Sequence, residues 1–361
     1  MKKVNELDEM WYRGLCSASE LERILYPKNA FDHLLHRKVD IISKNTRYTR
    51  QVINFFHKSG ERNISSYFDE RHYENYISYL CESDELKCKK ISYGDLFDAP
   101  VNAFAEMTEW GPIIYINESL KYYNKFFNLC FLYLEDDQVP NEVKVNSLRI
   151  ATRLLLGSES MDFRMDPRGI IPQSINTNLD LITDNQMNFI VGHEFGHFFC
   201  NHLDNNKTKT LYLKQRDSQL RNVKIYSQSH KQEFEADIDS LNRPLYDEKK
   251  YKNVFIYTII WFYSQILAEK VLDIVNPRPE YKKSHPPATA RISNILNECK
   301  IPKGFDSKTI EYLDKKIEVL IKLIEDELAY NFDIYEQYGS CYLSSPNTAW
   351  RGKELVDRVD Y

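Results

Sequence analysis

His193-Glu194-Phe195-Gly196-His197 sets two imidazoles four residues apart with a carboxylate between them, and Glu233-Phe234-Glu235-Ala236-Asp237 follows downstream. On a helix, residues four apart share a face, so His193 and His197 can present two nitrogens to one metal ion. Glu194 sits beside that face, where a carboxylate can act on metal-activated water as a general base without binding the metal. A catalytic zinc takes three protein ligands and keeps one position open. The third ligand is expected from Glu233, giving one Zn2+ per chain. Asp237, one turn beyond Glu233, is placed to accept the other ring N–H of a ligand histidine and fix its tautomer. Glu235 lies about 200° around the helix from Glu233, so the two cannot comfortably serve one ion. His202 follows His197 too closely for the longer three-histidine pattern, which would put glycine at Cys200 and histidine at Leu203. Cys200 reads as a packing residue.

These groups need helices to carry them. Thr183-Asp184-Asn185-Gln186 and Ser229-His230-Lys231-Gln232 both read as capping boxes, so one helix is expected to start at Thr183 and another near Ser229. Gly192 and Gly196 each cost a helix about 1 kcal/mol relative to alanine, a penalty that makes sense if another backbone must approach that turn. Ala236 would permit the same closeness from the other side.

The pattern resembles the HtpX-like, CAAX-prenyl-endopeptidase-type zinc metallopeptidases, whose glutamate ligand follows the two histidines in a segment ending in Ala-Asp. Asn102-Ala103-Phe104-Ala105, with Gly111 to Ile116 and Glu118-Ser119-Leu120 after it, is similar to that family's Asn-Ala-Phe segment and the strand beside its cleft. His285-Pro286-Pro287 with Arg291-Ile292 resembles its His-Pro-Pro segment, which implies a histidine and an arginine close to the metal. The chain also looks like the soluble Lit-type phage-exclusion and IrrE/ImmA-type regulatory peptidases, which share the His-Glu-x-x-His helix. The resemblance implies a zinc endopeptidase core. His285 or Arg291 would then be the catalytic donor to the oxyanion; His285 is open to two other roles, occupying the free metal position or simply opening a helix. The alternative to an enzyme is a catalytically silent zinc-containing binding or regulatory protein.

Composition narrows the rest. The chain has 361 residues, 42% hydrophobic, enough for a substantial core. A net charge of −5 gives no basic surplus, so nucleic acid is not an expected partner; a protein or peptide substrate is. Seven cysteines without a C-x-x-C pair fit reduced thiols and a cytoplasmic setting, and residues 1–15 lack the apolar block of a secretory signal. The longest apolar stretch, residues 254–268, is short for a membrane span and is expected to be a buried helix, with no membrane insertion. His33 and His36 read as packing histidines. The expected fold is α+β and mainly helical: a helical region over 1–95, a zincin-like domain with a small sheet over 96–300, and a C-terminal helix and tail over 301–361. Within it, residues 112–116 read as a strand that borders the cleft or lies in the core, and 145–156 as a helix. Residues 157–178 read as a long polar loop able to serve as a lid. Residues 210–213 and 223–226 suggest a hairpin, and Ile310, Leu313, Ile317, Leu320, Ile324 and Leu328 form a stripe that docks on the core.

Overall fold

Six α-helices come first among the described residues: α1 (Glu6–Leu15), α2 (Ala18–Leu25), α3 (Ala30–Ser43), α4 (Thr46–Ser59), α5 (Arg71–Ile77) and α6 (Glu82–Cys88). Ser17 and Glu20 cap α2 reciprocally, and Asn29 and Asn45 accept first-turn N–H groups of α3 and α4. The Glu20 carboxylate also accepts the backbone N–H groups of Ile64 and Ser65, tying the segment after α4 back to α2. His33 packs at a tilt against Trp110 and His36 meets Tyr12 edge-on, so both are packing residues. The computed structural model describes residues 6–98, 100–204, 208–212, 222–226, 230–277, 285–344 and 355–356.

A three-stranded sheet follows, with β1 (Ser92–Leu96), β2 (Ala103–Thr108) and β3 (Gly111–Asn117) in the order β1-β3-β2. β3 runs parallel to β1 and antiparallel to β2, so Ile114 lies opposite both Tyr93 and Ala105. Of the two readings of residues 112–116, the core strand is the one found: β3 is central and both its edges are used, so it has none left to border a cleft. The edge strand nearest the histidine helix is β2. β1 also begins before residue 96, so the sheet draws on the end of the stretch expected to be mainly helical. Its buried Asp95 is held by Lys121 and by His72 at 3.1 Å.

Helices α7 (Glu118–Leu132) and α8 (Asn141–Leu156) pack together and lead to α9 (Gln173–Phe199). The start expected at Thr183 lies well inside α9. Ile175, Leu179 and Ile182 extend the buried stripe upstream to Pro172, which occupies the N-cap, and the Thr183 hydroxyl is buried without a partner. The helix thus consumes the end of the expected loop. The remainder, residues 158–172, is pinned rather than lid-like. Arg168 is fully buried, giving its Nε to Glu159 and an Nη to Asp162, each at 2.7 Å. Arg153 donates to the other Glu159 oxygen at 2.7 Å, and that carboxylate also accepts the backbone N–H of Cys341 at 3.1 Å.

The second half is built on α10 (His230–Asn242), α11 (Glu248–Val275), α12 (Ala288–Glu298), α13 (Ser307–Tyr330) and α14 (Phe332–Glu336). Before α10, β4 (Thr208–Tyr212) and β5 (Asn222–Tyr226) pair antiparallel where the hairpin was expected; Leu213 and the proposed cap at Ser229 lie outside the described residues. α11 extends well past residues 254–268 and is long and apolar enough to cross a membrane, yet 67% of its most apolar stretch is buried inside the protein. Leu313, Ile317, Leu320, Ile324 and Leu328 dock α13 on the core. A short pairing of β6 (Ser340–Cys341) with β7 (Leu355–Val356) closes the chain. One apolar cluster runs from Tyr12 to Leu343, with all three expected regions contributing to it. Glu159→Gln should lower stability by about 3–5 kcal/mol, because it leaves two buried guanidinium groups underneutralised; urea unfolding would read this, and an unchanged midpoint would show that the cluster does not hold the tail.

Candidate metal centre

α9 and α10 cross where both are small. A methyl group on Gly196 would sit 3.1 Å from the Ala236 carbonyl oxygen and 3.2 Å from its Cα. One on Gly192 would meet a Tyr76 ring carbon at 2.7 Å and the Ser240 Cβ at 3.0 Å. The backbone of α10 therefore lies directly against the histidine helix, and Glu233 projects from its first turn toward the imidazoles.

The three candidate ligand side chains converge. His193 Nε2 lies 3.1 Å from His197 Nε2 and 3.5 Å from Glu233 Oε2, and His197 Nε2 lies 3.7 Å from Glu233 Oε1. Four-coordinate zinc with bonds of about 2.0–2.1 Å would separate its ligand atoms by roughly 3.3 Å. The trio is buried, and Glu233 Oε1 has no hydrogen-bond donor among the described residues, an expensive state for a carboxylate oxygen unless a cation takes it. This donor set fits a metal ion.

Supporting groups complete each ligand. Asp237 Oδ1 lies 2.9 Å from His193 Nδ1, and Arg291 gives its Nε to the same carboxylate at 2.7 Å. The Arg291 guanidinium lies over the rings of Phe262 at 4.9 Å and Trp261 at 5.7 Å, both on α11. Its Nε and one Nη are thus engaged by Asp237 behind the histidine, while the other Nη lies 3.7 Å from Glu233 Oε2. His285 Nδ1 lies 2.8 Å from Glu233 Oε2, and the His285 side chain is 44% exposed. Glu194 is buried, and the charges of His193, Glu233, His285 and Arg291 all act on it.

Two residues that sequence reasoning set aside also take part. His202, buried on the turn after α9, places its Nδ1 2.9 Å from His197 Nδ1, and Glu235 Oε2 lies 3.3 Å from His202 Nε2. The signal was present: the opposite direction of Glu235 from Glu233 excluded it as a ligand and is what aims it at His202.

The electrostatics follow from this crowding. Burial favours a neutral His193, but the carboxylates of Asp237 and Glu233 outweigh it and hold the imidazole up at about 9. Burial and the adjacent His193 push His197 well below its ordinary value, leaving it neutral. Burial opposes ionisation of Glu233 too, yet His285 and His193 hold it well below the usual carboxylate range. Glu194 is raised to about 7 by burial, with the charge of Glu233 adding to the rise and His193 opposing it.

Against known families, a model described as Peptidase U49 matches residues 181–310. That stretch contains the two histidines, Glu194, Glu233, Asp237, His285 and Arg291, and it supports a peptidase. No curated protein and no solved structure matches significantly.

Metal binding must displace the proton shared by His193, so affinity should rise with pH up to about 9 and binding at pH 7 should release about one proton; calorimetry in buffers of different ionisation enthalpy measures that number, and zero release would remove the charged His193. Gly196→Ala should cost stability, since about 1 kcal/mol of helix preference is outweighed by about 1–3 kcal/mol of overpacking against backbone. It should weaken metal binding as well; thermal unfolding with and without metal checks both.

Proposed function

We propose that the chain is a zinc-dependent endopeptidase acting on a protein or peptide, of the broad kind to which the HtpX-like and Lit-type enzymes belong. The observation that carries this reading is the buried convergence of His193, His197 and Glu233 beside Glu194, within the segment that matches a peptidase family. Two imidazoles and one carboxylate are the donor set of many hydrolytic zinc sites. Zinc bound there would supply Lewis acidity that brings a water's pKa down toward neutrality.

The chain's own residues do the remaining work. Glu194, in a dry pocket that raises its proton affinity, takes the proton of the attacking water and passes it to the leaving amine. Asp237 receives the Nδ1–H of His193 and directs its Nε2 lone pair toward the cluster, while Arg291 compensates the buried charge of Asp237. His285, half exposed to solvent, is a donor available to a developing oxyanion once substrate draws it from Glu233. β2 has one edge without a ladder partner among the described residues and lies beside α9, so an extended peptide can pair along it independently of sequence.

All seven cysteines are free thiols, which supports a cytoplasmic setting. Composition gives no support for nucleic acid as a partner. Glu194→Gln should keep its metal and lose cleavage by at least about 100-fold. Comparing protein termini in cells that express either form tests this, and undiminished cleavage by the variant would remove Glu194 from the mechanism.

A further inference from the structure

His193 receives its supporting carboxylate directly from Asp237, whereas His197 faces another imidazole. The two nitrogens, His197 Nδ1 and His202 Nδ1, are 2.9 Å apart, so one must donate and the other accept. Glu235 decides which. An ionised carboxylate only accepts, so at 3.3 Å the proton on His202 belongs on Nε2. The Nδ1 of a neutral His202 then carries a lone pair, and His197 must donate to it from its own Nδ1. That leaves the His197 Nε2 lone pair pointing at His193 and Glu233.

We propose that His202 and Glu235 are positioning residues that lock His197 in its Nδ1–H tautomer and thereby hold its Nε2 ready for the metal; this rests on the metal-peptidase reading above. α10 then serves both histidines from two faces, Asp237 acting on His193 directly and Glu235 acting on His197 through His202. The turn after α9 is shaped to permit it. Asn201 takes a left-handed backbone conformation at φ 58°, which asparagine tolerates better than most residues, and this turns the chain so that His202 folds back onto His197 only five residues away.

A rival use of these atoms exists, because Cys200, His202 and Glu235 are themselves close enough to hold a second ion. The two uses exclude each other. A metal on His202 Nε2 would leave the ring proton on Nδ1, facing His197 Nδ1 and forcing the wrong tautomer there. The observed contacts are hydrogen-bond distances, and Glu235 is 53% exposed, so the relay is the reading the geometry favours.

Four variants of the full chain test it through zinc affinity, measured by competition with a chromophoric chelator, and through the visible spectrum of the cobalt-loaded protein. His202→Phe removes the acceptor and should weaken zinc about 10–100-fold, with an altered cobalt spectrum. His202→Asn offers a side-chain oxygen at the same place and should restore most of the affinity. Glu235→Lys, at an exposed position that tolerates substitution, replaces an acceptor by a donor and should weaken zinc about tenfold. Cys200→Ala should bind one zinc as tightly as the wild type. Unchanged affinity in both His202→Phe and Glu235→Lys overturns the proposal while leaving the metal site intact. Two zinc ions per wild-type chain, with one lost in Cys200→Ala, would overturn it in favour of the outer ion. Wild-type protein that binds no zinc would instead remove the metal-peptidase reading on which it stands.

Discussion

The approach of α10 to α9 is the constraint on which the rest depends. Ligands drawn from two helices can meet at one ion only if the helices are closer than ordinary side chains allow, and the pair Gly196 and Ala236 supplies that closeness, with Gly192 and Ser240 one turn away. The cost is paid in helix preference and in the lack of large side chains at the crossing. The neighbourhood offsets it: Phe195 stacks on Tyr76, and Phe189 packs against Trp261 and Phe262. α11, apolar enough to be taken for a membrane segment, is the floor that presses the site together.

A second consequence of that crossing is electrostatic. Glu233, Asp237, Glu194, His193 and Arg291 are all buried within one small volume, where an unpaired charge is expensive. The arrangement alternates sign: Arg291 lies against Asp237, Asp237 against His193, and His193 and His285 against Glu233. The uncovered oxygen of Glu233 is where the alternation lacks a positive member. A divalent cation is the natural completion of such a chain, and its arrival would return His193 to neutrality.

Much of this was legible in the residues. Helical spacing fixed the shared face of His193 and His197, the glycines announced a close neighbour, and the Glu-Phe-Glu-Ala-Asp stretch pointed to the second helix. What stayed hidden depended on tertiary surroundings. A capping-box pattern at Thr183 has the right letters, but the apolar stripe upstream overrides it and carries the helix back to Pro172. Pairing order in a sheet is invisible to strand propensity, so β3 could not be known to lie between its neighbours. Arg291 could be placed near the candidate metal site from its motif, yet only the fold shows that Asp237 takes up two of its nitrogens. His202 belongs to the same class, since its meaning lies in a contact with a ligand and a carboxylate from different elements.

The clasp of residues 339–343 on the segment that precedes α9 has a bearing on how the chain matures. Glu159 receives its backbone partner from Cys341, and Leu343 donates to the Arg168 carbonyl, contacts spanning nearly half the polypeptide. During synthesis the histidine helix emerges long before those residues do. Its upstream anchor therefore stays incomplete until translation has passed residue 343, so this part of the packing is among the last to form.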